Sequence, residues 1–94
     1  MKSMIVASLL AAGLAVAGPA IASEDLAQKN GCTRCHAMAA TKIGPSVKDI
    51  AAKYKGKAGS EAALVAKVKA GKEHPPSKAS EDDLKKIVAW MLAR

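Results

Sequence analysis

From residue 23 onward the apolar positions recur at helical spacing, and no stretch alternates in the manner of a strand. Val47, Ile50, Ala51 and Tyr54 fall at i, i+3, i+4 and i+7, one apolar face on a short helix that stops at Gly56. Ahead of it, Ser23 is expected to cap a helix with Glu24 and Asp25 near the positive end of its dipole. That helix should run to about Asn30, with Gly31 ending it. Ser60 is expected to cap a third helix, with Glu61 in its first turn, Leu64, Val65 and Val68 inward, and Gly71 at its end. The last helix is the best specified. Ser80-Glu81-Asp82-Asp83 resembles a capping box, and Leu84, Ile87, Val88, Met91 and Leu92 follow on one face. The pattern predicts an all-α fold of about four short helices.

Residues 1–22 follow a different pattern. Lys2 is their only charge, positions 4–17 are an apolar run, and Gly18-Pro19 breaks it. Ala20-Ile21-Ala22 has the small-x-small form cut by signal peptidase, so residues 1–22 read as a secretory signal peptide and residues 23–94 as one exported domain. As a membrane anchor the run is poor: about 20 apolar residues are wanted, and Gly13, Gly18 and Pro19 interrupt it. No stable membrane insertion is expected after cleavage.

A domain this short usually needs a staple. Here the need is acute, because the hydrophobic half of the chain is mostly Ala, with Trp90, Tyr54 and no Phe. The 15 basic residues exceed the 8 acidic ones, a formal net charge of +7 that loss of Lys2 lowers to +6. The lysines are spread along the chain without a dense block. They keep a small protein soluble, and they can also steer an acidic partner toward it. Nucleic acid is not expected as a partner, since the chain is exported and lacks aromatic residues interleaved with the basic ones.

Cys32-Thr33-Arg34-Cys35-His36 supplies the staple: C-x-x-C-H is the attachment sequence of c-type haem. Two thiols on one turn can each form a thioether to a haem vinyl group, and the next residue then lies beneath the iron. His36 is that residue and would be the first axial ligand. A disulfide, a thioredoxin-like redox pair and half a zinc site are the other readings of two such cysteines. A redox pair would want a βαβ context. A zinc site would have to draw on His36 and His74, the chain's two histidines.

With these residues in place the chain resembles a small bacterial class I cytochrome c, of the short kind that serves as a periplasmic electron donor. The likeness rests on the helix leading into Gly31-Cys32-Thr33-Arg34-Cys35-His36, the Ile43-Gly44-Pro45 turn, the helix from Val47 to Tyr54, and a Pro-Pro loop before a final helix bearing Trp90. It implies one covalently attached haem c, wrapped by the helices. It also implies that the Pro45 carbonyl accepts the Nδ1 hydrogen of His36, turning Nε2 toward the iron, and that Gly44 lets the chain approach the ring closely. In that family the loop before the last helix reads Met-Pro-Pro, and the Met sulfur is the second axial ligand. This chain reads His74-Pro75-Pro76, on a connection from Gly71 that looks shorter than usual. Met38 lies two residues past His36, on the wrong side, and Met91 sits on the core stripe of the last helix. His74 is therefore the candidate second ligand, the alternative being an exposed loop histidine beside a five-coordinate or water-ligated iron.

The function expected is one-electron transfer by a periplasmic monohaem carrier, monomeric, with lowered potential, docking redox partner proteins. It is not expected to be an enzyme, because imidazoles on both faces leave the iron no open position. The alternative is a ligand-binding haem sensor or scavenger in which His74 is absent from the iron. A redox subunit of a larger complex is a third possibility.

Overall fold

The computed structural model describes residues 18–94, with side chains from residue 22; positions 1–17 of the expected signal peptide lie outside the described residues. Four α-helices follow in order: α1 (Gly18–Lys29), α2 (Val47–Tyr54), α3 (Ser60–Ala70) and α4 (Glu81–Leu92). A 3₁₀ turn over Cys32–Arg34 follows α1. Among the described residues there is no strand, and a single isolated bridge pairs His36 with Thr41. The all-α class expected from the sequence is the one observed.

Of the three serines expected to cap a helix, only Ser80 does so, and Ser46 caps α2 without having been expected to. Ser46 and Ser80 each accept a hydrogen bond on Oγ from the backbone N–H three residues on, Asp49 and Asp83, both at 3.1 Å. Acidic side chains fill the first turn of α4, where the dipole is positive. Ser23 is not a cap. It lies inside α1, which starts at Gly18 because Pro19 is tolerated in a first turn, where its missing N–H would have no intrahelical partner. Ser60 is not a cap either. Gly59 holds that place at φ 78, and the Ser60 hydroxyl donates to the Tyr54 carbonyl at 3.1 Å, satisfying the open end of α2.

Helix α4 carries the core. Its residues Ile87, Trp90 and Met91 pack with Ala27 of α1 and Val47 of α2, and Leu26, Cys32 and Ile50 close around them. One turn away, Leu84 and Val88 pack with Val65 of α3, flanked by Leu64, Val68 and Leu92. Ala79, just before α4, touches both clusters. The stripe expected on α4 is therefore buried, and Trp90 joins it. A 2.8 Å ion pair between Lys69 and Glu81 links the end of α3 to the start of α4 and holds the Glu81 carboxyl below the usual carboxylate range. Both side chains are exposed, so the pair fixes geometry more than it stabilises.

The shared face of α4 gives a direct test. Ile87 is 2% exposed, and Ile87→Ala should cost about 2–5 kcal/mol by leaving a cavity where three helices meet. Lys85→Ala, on the solvent side of the same helix, should stay within about 0.5 kcal/mol. Denaturant midpoints of the two variants check the contrast.

Candidate functional site

The first half of the site is built by the exit of α1. The Asn30 side chain donates to the Leu26 carbonyl at 2.9 Å, and Gly31 then enters the left-handed region at φ 78. That reversal starts the tight turn, in which Arg34 N–H donates to Gly31 O at 3.2 Å and His36 N–H to Cys32 O at 3.0 Å. Cys32 and Cys35 are thereby set on one turn as free, half-buried thiols. Burial pushes the Cys32 thiol above its ordinary range, with the neighbouring Cys35 adding to the effect.

The segment after His36 folds back onto the start of α2. A helix leaves its first N–H groups without intrahelical partners. Here Val47 N–H donates to Ala37 O at 2.8 Å, Lys48 N–H to Met38 O at 3.0 Å, and Gly44 N–H to Cys35 O at 2.9 Å. Ser46, fully buried, anchors the junction. The result sets the Pro45 carbonyl oxygen 2.7 Å from His36 Nδ1. A carbonyl can only accept, so Nδ1 carries the hydrogen and Nε2 keeps its lone pair. Gly44 makes room for a close approach: a Cβ there would lie 2.6 Å from His36 Cε1. The close approach is to the imidazole.

The second half comes from the connection between α3 and α4. Gly71, at φ 67, ends α3, with Gly71 N–H donating to Val68 O at 3.1 Å and Lys72 N–H to Lys67 O at 3.2 Å. The chain then turns through Glu73 at φ 57 into His74-Pro75-Pro76. His74 is half-buried, and its Nδ1 lies 2.6 Å from the Pro75 carbonyl oxygen. The tautomer argument is the same as for His36, and again Nε2 keeps the lone pair.

The two rings come together with centroids 6.0 Å apart and planes within 9°. Among the described residues no three His, Cys, Asp or Glu side chains converge as a metal cluster would. Met38 is 44% exposed, and Met91 is buried in the α4 core. Trp90, in the cluster against which Cys32 packs, has a buried indole N–H with no acceptor among the described residues. Such an orphan is expected where part of the packing comes from a group outside the chain. Two thiols on one turn, two neighbouring imidazoles whose Nδ1 atoms are taken by backbone carbonyls so that Nε2 is the nitrogen left to ligate, and an unmatched donor in the cluster against which Cys32 packs fit a haem. Glu73 and Ser46 are the residues the sequence reading missed. The S-x-x-D spacing at Ser46 was a legible signal, whereas nothing in a lone Glu announces a left-handed backbone.

Gly44→Ala should force the His36 ring from its place against Pro45, at a cost of about 1–3 kcal/mol for an overpacked contact. The midpoint of denaturant unfolding checks this. An unchanged midpoint would show that the ring swings aside freely.

The comparisons with known proteins agree with this geometry. The Cytochrome c family profile matches residues 20–94. Cytochrome c-551 of Allochromatium vinosum is 44% identical over 75 residues, covering 71% of this chain and 80% of its own length. Cytochrome c-551 of Azotobacter vinelandii is 41% identical over 76 residues, covering 73% and 93%. Among solved structures, class 1 cytochrome MtoD from Sideroxydans lithotrophicus ES-1 superposes with a TM-score of 0.70 at 38% identity, over 78% of this chain and 92% of that one. Wild-type cytochrome c552 of Nitrosomonas europaea gives 0.67 at 36% identity, over 73% and 95%. The profile match over most of its length and these relatives assign the chain to the cytochrome c family, electron-transport proteins with covalently attached haem c.

Proposed function

We propose that this chain is a periplasmic one-electron carrier, exported by residues 1–22, with haem attached through Cys32 and Cys35 and held between His36 and His74. Bound haem supplies a one-electron couple between Fe(II) and Fe(III). The observation that carries the ligand assignment is the pair of near-parallel imidazoles 6.0 Å apart.

Each residue has a definite task in this reading. Pro45 and Pro75 accept the Nδ1 hydrogens, so both imidazoles present Nε2 and are made more basic by the bond behind them. Gly44 leaves His36 room to stand against the chain. Imidazole favours Fe(III) more than the thioether of the usual Met does, so the potential should lie below that of His/Met relatives. Every ~59 mV of that difference is about 1.4 kcal/mol for a one-electron couple. Exposed lysines, among them Lys42, Lys48 and Lys53, give the surface a positive field suited to acidic redox partners.

The ligand assignment is tested at position 74. His74→Met should raise the potential and introduce the weak long-wavelength band of an Fe–S(Met) bond. His74→Ala should open the iron to carbon monoxide or cyanide. An unchanged spectrum and potential in His74→Ala would remove His74 from the iron.

The partner proposal is tested by salt. Association with an acidic redox partner should slow steeply as ionic strength rises, because screening shortens the field to about 10 Å at 0.1 M. A salt-independent rate measured by stopped flow would leave the lysines as solubilising groups.

A further inference from the structure

Glu73 is the one non-glycine among the described residues with positive φ, at 57. A residue with a Cβ is disfavoured in the left-handed region, and the conformation persists only where its surroundings impose it. The surroundings here do so from both sides. On the N-terminal side, Gly71 is itself left-handed, and its bonds from Gly71 N–H and Lys72 N–H fasten the chain to the last turn of α3. On the C-terminal side, Pro75 and Pro76 restrict the backbone, and Pro76 folds back until its Cβ lies 3.5 Å from where a Gly71 Cβ would be. His74, between these fixed ends, has little freedom of its own.

We infer that Glu73 is a positioning residue, whose left-handed backbone turns the chain so that His74 faces His36. The inference rests on the proposal that His74 is a ligand. The direction of the chain is set at φ of residue 73: an extended residue there would swing the following segment, His74 and Pro76 together, away from the site and from the contact with Gly71. The Glu73 carboxylate lies 3.9 Å from Lys67 Nζ on α3, with the glutamate 78% exposed. A pair so exposed is too weak to hold the turn alone, so the backbone angle, more than the charge, is the positioning element.

That ordering of causes separates the variants. Glu73→Gly removes the carboxylate but adopts positive φ freely. Glu73→Val places a β-branched side chain where left-handed backbone is most disfavoured. The full-length exported holoprotein, reduced and mixed with carbon monoxide, reports whether the distal side is closed, with His74→Ala as the open reference. Wild type and Glu73→Gly should exclude carbon monoxide alike, while Glu73→Val should bind it at least about tenfold faster and show a raised potential. Should Glu73→Val not accumulate, Glu73→Ala keeps a Cβ without the branch and should open the site in the same direction. The inference is overturned if the Cβ variants stay as closed as wild type, or if Glu73→Gly opens as far as Glu73→Val. Wild type that itself binds carbon monoxide as fast as His74→Ala would instead bring down the ligand proposal, and this inference with it.

Discussion

Helix α4 packs against α1, α2 and α3, and its apolar face is the surface on which the rest of the chain is assembled. The constraint follows from composition. A chain whose hydrophobic half is mostly Ala has little bulk to bury, so Leu84, Ile87, Val88, Trp90 and Met91 are gathered on one helix. Cys32 packs into the same cluster, so the thiol proposed as the first point of attachment is positioned by the core itself. Stability and cofactor placement are in this way two uses of one surface. Haem attached as proposed, through the two sulfurs on the turn that follows α1, would extend that surface beyond what the side chains provide.

Much of this was legible in the sequence. The spacing on α2 and α4, the stops at Gly31 and Gly71, and the serine before α4 all follow from local rules, and local rules act wherever a helix must end. The two misplaced caps show the limit. Ser60 has the composition of a cap, but the hydroxyl finds a better acceptor in the open carbonyl of Tyr54, a partner that exists only once α2 and α3 are folded together. Ser23 has good acidic neighbours, yet the described chain continues upstream as helix. Propensity names residues able to cap; tertiary structure chooses among the bonds they make.

At the site, the motif and the family likeness supplied the residues, and the structure supplied the reasons for their placement. The bonds from Val47 and Lys48 to Ala37 and Met38 explain why Pro45 can serve His36 at all: the donors left over at the start of α2 hold the intervening loop in place. Gly44 is tied to the imidazole for steric reasons that no pattern of letters conveys. Glu73 lies furthest from the reach of sequence reasoning, because its conformation is imposed by residues on either side and not by its own side chain.

The way α3 and α4 are finished has a consequence for how such proteins diversify. Gly71 and Lys72 complete α3 through bonds to Val68 and Lys67, and Ser80 completes α4 through Asp83, so each helix is closed by residues at the near end of the stretch between them. Of that stretch, Ala79 is the part that enters the core. The connection can therefore be shortened, lengthened or given a different donor atom while the helices it joins keep their register. With His74 as the proposed ligand, such an arrangement makes the loop an interchangeable cassette, and it lets electrochemistry drift over evolutionary time on a scaffold whose folding is left undisturbed.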